Sequence, residues 1–423
     1  ALQAAQAMAG VNDDWSSDAR DARLRDQLAY AYARAPAVRE LFDAAALDPG
    51  AVRGLADLAA LPVTSKDDLL RRQAADPPFG GFCAVPVEEL GRVYVSPGPI
   101  YEPAGVWDGA DWMHDILAAH GVPRRGRAMI SFSYHLVPAG LGLDDMLRRY
   151  GLAVVPAGVG NTDVQALALR DLAVEVFCGT PSFLVTLMER AEALGFRWGH
   201  ELCLRFAVIG AEAFTRALRA EMARRHITVV ETYGTADVGL LGATCPVGAG
   251  FHLTGDAVVE IVEPDCGRRL DPGEIGEVVV TPFTATYPLV RFGTGDLAAL
   301  LPDPCPCGLP SPVLSRLAGR VGEAVKVRGM FLHPGQVDEA LDAFGGIGRY
   351  QVSVRRAGLR DELVVRIEVA GDGGGNGGDG LPERVQQRAR EVWRVRPDRV
   401  ETVPFGTLPE GGKVLVDERP WDG

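Results

Sequence analysis

Apolar positions along this chain follow two rhythms. Over residues 18–35 they fall at helical spacing, with Leu24, Leu28, Tyr30 and Tyr32 set among charges, which predicts an amphipathic helix. Residues 61–69 predict a second helix start, with Thr64 or Ser65 as cap and Asp67 and Asp68 complementing the dipole. Between residues 92 and 286 the rhythm changes. Short apolar runs at 92–96, 127–133, 153–157, 175–179, 205–209 and 228–231 alternate with helical segments at 161–171, 181–194 and 215–225. That alternation predicts an α/β unit with a covered, mostly parallel sheet, whose ligands sit beyond the carboxyl ends of the strands. Residues 257–262 and 276–282 read as further strands around the turn Pro264-Asp265-Cys266-Gly267.

Beyond residue 320 the pattern becomes a small α+β unit. It has strands at 351–356, 363–369 and 399–403 and a helix at 381–395. Residues 371–380, nearly all Gly, Asp and Asn, read as a flexible surface loop and not a phosphate cradle. The boundary is placed near Arg320, dividing the chain into 1–319 and 320–423. Residues 1–17 read as a short helix and a polar turn without the basic and apolar regions of a signal peptide.

Composition narrows the classes. The 423 residues carry a net charge of −13, which opposes a nucleic-acid footprint or a polybasic membrane patch. No run reaches the roughly 18 apolar residues of a spanning helix. A cytoplasmic protein is expected. Seven cysteines are too few and odd for a disulfide scaffold. Cys178 and Cys203 read as small core residues.

Four segments carry candidate chemistry. Glu231-Thr232-Tyr233-Gly234-Thr235-Ala236-Asp237 follows a strand-like run. It is either a nucleotide turn, with Tyr233 stacking, Thr235 on a phosphate and Asp237 on Mg²⁺, or an ordinary polar turn. Arg291-Phe292-Gly293-Thr294-Gly295-Asp296 is either a ribose site at Asp296 or a hairpin turn. The basic stretch from Arg316 to Gly329 is either a ligand-facing boundary or a solvated linker. Leu408-Pro409-Glu410-Gly411-Gly412-Lys413 either delivers a mobile lysine to a phosphate or frays. Separately, Cys245, His252, Cys305 and Cys307 suit tetrahedral Zn²⁺ in loops near 245–252 and 305–307, or are reduced surface thiols.

The order of these segments resembles the adenylate-forming superfamily, and most closely the phenylacetate–coenzyme A ligase family. Leu61-Pro62-Val63-Thr64-Ser65-Lys66-Asp67-Asp68-Leu69, Val176-Phe177-Cys178-Gly179-Thr180-Pro181-Ser182 and Ile209-Gly210-Ala211-Glu212 are similar to motifs of that family. So are two glycine-rich aryl-pocket segments, residues 132–140 and 154–162. The resemblance runs from about residue 20 to the end. It implies a large N-terminal α/β domain and a small mobile C-terminal cap. It also implies a two-step reaction: ATP and an aromatic acid give an acyl-adenylate and pyrophosphate, and coenzyme A then displaces AMP.

Carried over residue by residue, Lys413 would serve adenylation and Lys326 thioester formation. Asp296 and Arg320 would hold the ribose. Gly210, Ala211 and Glu212 would line the adenine, with Tyr233 stacking. Ser96, Gly98, Glu231, Thr232, Gly234 and Thr235 would complete the nucleotide site, with Asp237 on Mg²⁺. Tyr134, His135, Gly140, Pro156 and Ala157 would meet the acid. His135 is open between a substrate bond and a core or pocket-wall position. Some members of the family carry the same Cys, His and Cys-Pro-Cys-Gly set, which favours structural Zn²⁺.

The phosphate loop departs from the family pattern. Where it reads approximately S-S-G-T-T-G-K-P, this chain reads Ser96-Pro97-Gly98-Pro99-Ile100-Tyr101-Glu102-Pro103. The lysine has become Glu102, and two prolines remove backbone donors. The hinge position is Gly322. The expected function is an AMP-forming aryl-acid–coenzyme A ligase. Two alternatives stay open: an enzyme loading a carrier protein, and a nucleotide-binding paralogue that no longer activates acids. A homodimer is left open.

Overall fold

The computed structural model describes residues 17–96, 99–105, 110–248, 250–264, 266–321, 325–328, 330–332, 334–358, 360–369, 380–409 and 412–419. The helix expected before residue 17, Gly98 of the phosphate loop, the hinge Gly322 and residues 371–379 of the glycine-rich loop lie outside these. The chain divides into two compact units. One comprises residues up to 214 together with 219–319. The other comprises 320–422 together with 215–218.

In the first unit a hairpin, β1 (Arg92–Ser96) with β2 (Ile100–Ala104), precedes the main sheet. That sheet contains β3 (Arg127–Ile130), β4 (Ala153–Pro156), β5 (Val176–Gly179), β6 (Phe206–Ile209), β7 (Thr228–Thr235), β8 (Gly239–Thr244) and β9 (Phe251–Leu253). A second sheet holds β10 (Ala257–Val262), β11 (Gly276–Pro282) and β12 (Phe292–Ala298) as consecutive antiparallel neighbours. The two-residue β13 (Val313–Leu314) joins the main sheet, whose order is β13-β9-β8-β7-β6-β5-β3-β4. Neighbours from β4 to β7 run parallel, and those from β7 to β13 antiparallel.

The parallel strands are short and apolar because helices cover them. Met113, Ile116, Met146, Leu147 and Tyr150 form one core with Val176, Cys178, Val208 and Val230. Cys178 is a core residue as expected, but Cys203 is exposed. The helix Pro138–Tyr150 was obscured in the sequence by Gly140 and Gly142, which soften its apolar period.

Two motifs differ from expectation in an informative way. Thr232-Tyr233-Gly234-Thr235 is not a turn after a strand. It is the second half of β7, which leaves β6 after Glu231 and pairs antiparallel with β8. The second motif likewise forms no hairpin turn. Thr294-Gly295-Asp296 lies inside β12, with Gly295 at φ +74 and a register shift opposite it in β11, the form of a β-bulge. In both places glycine lets the backbone deform without ending the strand.

The N-terminal segment is fastened to β12. The Thr64 N–H donates to Arg291 O at 2.9 Å, and the Gly293 N–H donates to Thr64 O at 3.0 Å. Ser65 then caps the helix Lys66–Ala75 in a full capping box with Asp68, so Ser65 and not Thr64 is the cap. Arg291 is 1% exposed. Its guanidinium donates to both oxygens of Glu260, at 3.1 and 3.3 Å, and to the carbonyls of Leu61 and Gly267.

The second unit opens at Arg320, the end of the short β14 (Gly319–Arg320). It continues through a hairpin of β15 (Val325–Val327) and β16 (Met330–Leu332). Its main sheet has the order β19-β18-β17-β20, from β17 (Ile347–Ala357), β18 (Arg360–Val369), β19 (Arg399–Pro404) and β20 (Leu415–Asp417). Helices Pro334–Leu341 and Leu381–Trp393 supply the remaining core. The final strand β20 was not foreseen. It pairs parallel with β17, so the segment carrying Lys413 leads into a sheet and does not fray.

Glu260→Ala leaves the Arg291 charge buried and unpaired, and is expected to cost about 3–5 kcal/mol. Urea unfolding monitored by fluorescence measures this, and a midpoint equal to that of the unmodified protein would refute it.

Candidate functional site

At the carboxyl ends of β5, β6 and β7 three of the expected segments meet. Thr180 ends the first turn and caps the helix Pro181–Ala193, its hydroxyl accepting the Phe183 N–H at 3.3 Å. Gly210 lies against Thr232 so closely that a Cβ would stand 2.5 Å from Thr232 Oγ1. The Thr232 hydroxyl donates to Ile209 O at 2.9 Å. Ala211 adopts φ +67, and Glu212 accepts the Ser182 N–H at 3.3 Å.

Tyr233 couples this edge to the second sheet. Its hydroxyl lies 3.1 Å from Asp296 Oδ2 and 3.3 Å from Thr294 Oγ1. Its ring packs on Phe251 with centroids 5.8 Å apart and is 5% exposed. Stacking on a base requires an open ring face, whereas here the ring lies in the core and the hydroxyl meets Asp296. Gly295 N–H donates to Glu277 Oε1 at 3.1 Å, fixing the bulge that presents Asp296. Gly234 opposes β8 at a distance where a Cβ would meet Gly239 O at 2.5 Å. Thr235 Oγ1 accepts the Val238 N–H at 3.4 Å, closing the turn that carries Asp237.

Glu231 is committed to two arginines, with Arg219 at 3.1 Å and Arg316 at 3.5 Å. It borders a cavity of about 360 Å³ also lined by His120, Phe214, Arg219 and Arg316.

Beside the Asp237 turn the phosphate-loop hairpin contributes an acidic group. Ser96 and Glu102 are both buried, and the Ser96 hydroxyl donates to Glu102 Oε1 at 2.5 Å. Asp237 is ion-paired with Lys66, its Oδ2 3.0 Å from Nζ. Glu102 Oε2 and Asp237 Oδ1 have no hydrogen-bond partner among the described residues. Burial and the neighbouring Asp237 charge push the Glu102 carboxyl up to about 8, against the opposing pull of Ser96 and Lys66.

The two glycine-rich segments expected to form the aryl pocket, residues 132–140 and 154–162, also come together. The Tyr134 ring lies against Gly140 and Gly158, and its hydroxyl donates to Asp144 at 2.9 Å. Burial and Asp144 raise that phenol far above its ordinary range. Gly140 is buried at the start of its helix, where a Cβ would stand 2.4 Å from Ser133 O. Pro156 ends the edge strand β4 and is exposed, and Ala157 follows it, half-buried. His135 is exposed, which removes the core alternative. Buried Gln165 joins the segments by accepting from Ser131 and donating to Gly158 O and Gly160 O.

In the second unit Lys413 is exposed. It lines a depression of about 240 Å³ with Arg349, Tyr350 and Leu408. Its carbonyl accepts from Gln351 Nε2 at 3.1 Å. Lys326 is half-buried in the β15–β16 hairpin opposite Phe331, and Arg320 is half-buried where the unit begins.

Cys245, His252, Cys305 and Cys307 converge, all four ligand atoms lying within 4.8 Å of one another. Cys245 Sγ and Cys305 Sγ are 3.6 Å apart, and Cys307 Sγ is 3.3 Å from His252 Nε2. His252 Nδ1 lies 2.8 Å from Ser311 Oγ, a partner that orients the ring and leaves Nε2 toward the sulfurs. Burial pushes the Cys245 thiol up. The Gly248 and Val247 N–H groups and the neighbouring cysteines outweigh this and hold it below its usual value. Three thiols and one oriented imidazole make a closed four-ligand donor set for a soft, tetrahedral ion.

Sequence reasoning missed the parts played by Gln165, Arg291 and Lys66. Lys66 lay within a quoted motif, but nothing in spacing pointed to Asp237, which is far away along the chain.

Comparison with known proteins identifies the family and the fold. A family model described as AMP-binding enzyme matches residues 147–282, and its C-terminal domain model matches 329–419. A phenylacetate–coenzyme A ligase of Thermus thermophilus is 34% identical over 365 residues, covering 83% of this chain and 81% of the relative. One of Aromatoleum evansii is 32% identical over 426 residues, covering 94% and 93%. The crystal structure of a 2-hydroxyisobutyryl-CoA ligase shares the fold at TM-score 0.84 and 24% identity, covering 98% of this chain and 92% of that one.

The raised Glu102 carboxyl has a signed consequence. The folded state retains the proton that the unfolded chain releases near 4.5, so this group's contribution is full below that pH and is lost as pH rises toward about 8. Glu102→Gln, which cannot ionise, is expected to flatten this loss. Urea midpoints at about pH 5 and about pH 8.5, on either side of that window, test it, and parallel pH trends in the two proteins would refute it.

Proposed function

The chain belongs to the phenylacetate–coenzyme A ligase family, and on that premise we propose an AMP-forming acid–thiol ligase whose acid is aromatic and whose acceptor is coenzyme A. The observation that carries the reading is the Tyr233–Asp296 hydrogen bond of 3.1 Å. It joins two separate motifs of the nucleotide site beside the Gly210–Glu212 turn.

In this reading Asp296 and Arg320 take the ribose hydroxyls. Gly210, Ala211 and Glu212 border the base. Tyr233 positions Asp296 through its hydroxyl, a support the sequence reading did not assign. Lys413 brings the carboxylate and α-phosphate together, and Lys326 acts in thioester formation. The chemistry is positioning plus charge neutralisation at phosphorus, with little covalent work by the protein. Asp237, whose Oδ1 has no hydrogen-bond partner among the described residues, would supply a carboxylate to Mg²⁺. Tyr134 and Gly140 shape one wall of the acid site. Coenzyme A is favoured over a carrier protein because the named relatives are coenzyme A ligases. No helix among the described residues is long and apolar enough to cross a membrane. A cytoplasmic location suits an enzyme that needs ATP, coenzyme A and reduced metal-binding thiols.

One observation favours a second reading, in which the protein binds nucleotide without activating acids: the phosphate loop carries a buried glutamate where the family has lysine. Pyrophosphate exchange with a panel of aryl acids separates the two. Acid-dependent exchange is expected, falling about 10²–10³-fold in Lys413→Ala as for the loss of one charge-stabilising group. AMP binding without exchange for any acid would overturn the ligase reading.

For the thiol cluster we propose Zn²⁺ in a structural role, since four protein ligands leave no open position. Elemental analysis should find about one equivalent per chain. Cys305→Ser should lose the ion and melt at lower temperature. A folded, metal-free protein would exclude the site.

A further inference from the structure

Lys66 has no part in the reaction as described above, yet it touches the carboxylate assigned to Mg²⁺. Its stem is fixed: it is the first residue of a helix capped by Ser65, and Thr64 before it is bonded on both sides to β12. Its ammonium arm is the more open partner of the pair. The Lys66 side chain is 22% exposed, whereas that of Asp237 is 1% exposed. The lysine therefore covers the carboxylate from the solvent side.

The electrostatics of the cluster are unfinished. Ser96 holds Glu102 inside the hairpin, at the position where the related loops place a lysine. Glu102 Oε2 and Asp237 Oδ1, both on residues more than nine-tenths buried, lack hydrogen-bond partners among the described residues. A triphosphate entering here meets a carboxyl group on the loop, and Lys66 is the cation in contact with Asp237. A buried carboxylate needs one cation at all times, so whatever frees Lys66 must replace it.

We propose that Lys66 is an exchangeable counter-ion. It pairs with Asp237 while the metal position is empty. When the metal–nucleotide arrives, it releases Asp237 and pairs with the triphosphate, supplying from the N-terminal segment the charge that Glu102 removes from the loop. The inference rests on the ATP-dependent reading above. It differs from a purely structural role in one respect: Lys66 and the divalent ion compete for a single carboxylate.

The test has two arms on the full-length protein. Mn²⁺, titrated without nucleotide and followed by electron paramagnetic resonance, reads the metal position with no turnover. Lys66→Met is expected to bind Mn²⁺ at least tenfold more tightly than the unmodified protein. In the second arm, the same variant should raise the KM for ATP at least tenfold in acid-dependent AMP formation. Lys66→Met/Glu102→Lys, which returns a lysine to the loop, should recover most of that loss. Unchanged or weaker Mn²⁺ binding in Lys66→Met overturns the proposal, as does an unchanged KM for ATP or a double variant no better than the single. Lys66→Gln, also uncharged, replaces Lys66→Met if the latter fails to fold by its melting curve. The Mn²⁺ arm needs no identified acid, so a silent acid panel sinks the ligase reading without touching this result.

Discussion

One buried cation organises the ground on which the nucleotide motifs stand. Arg291 is closed off from water. Its guanidinium binds Glu260 on β10, the carbonyl of Leu61 in the N-terminal segment, and the carbonyl of Gly267 in the turn between β10 and β11. A charge so placed is tolerated only when every donor is met. Three stretches of chain distant in sequence are thus brought to one point. The segment after Leu61 is then laid along β12 and delivers Lys66 to the Asp237 turn. Arg291 resembles a ligand-binding arginine in its motif, Arg-Phe-Gly-Thr-Gly-Asp, but its work is architectural. The residue of that motif to which the proposed reading gives the ribose is Asp296, held by Tyr233.

The hairpin expected to be the phosphate loop departs from the family pattern in a way that is consistent in space. A glutamate in a loop expected to meet a triphosphate looks like a lost function when read alone. Here it is bonded by Ser96, shielded from water, and set beside an Asp–Lys pair, so its own charge is suppressed by burial and by its acidic neighbour. The altered residue is integrated into the core of the hairpin and is not a solvent-facing repulsive charge. The Ser96–Glu102 bond ties one strand of the hairpin to the other from within.

Much of the architecture was legible. Short apolar runs alternating with helical segments marked the parallel strands nearly residue for residue, because buried strands and amphipathic helices differ in period. The cap was readable to within one residue, Thr64 or Ser65, because capping is local, and Ser65 is the one used. Less legible was everything decided by long-range pairing. Thr232–Thr235 looked like a turn because Gly234 is a turn residue. It is a strand because β8 offers a partner and Gly234 admits close approach. The Thr294–Asp296 bulge, the closing strand Leu415–Asp417 and the burial of Tyr233 depend on neighbours far along the chain, which local propensity does not encode. The thiol cluster was nameable from residue types, while the Ser311 contact that orients His252 was not.

That cluster also has a topological consequence. Cys245 and Cys305 are 60 positions apart, and the chain between them contains all of β10, β11 and β12, including Asp296. Once an ion joins the four side chains, this stretch is a closed ring of polypeptide, and the unfolded ensemble loses the conformations in which its ends drift apart. Unlike a disulfide, the clasp can form in a reducing compartment and depends on metal supply. With zinc bound as proposed, the stretch that carries Asp296 would be tethered at both ends, and metal uptake would be coupled to the folding of β10, β11 and β12.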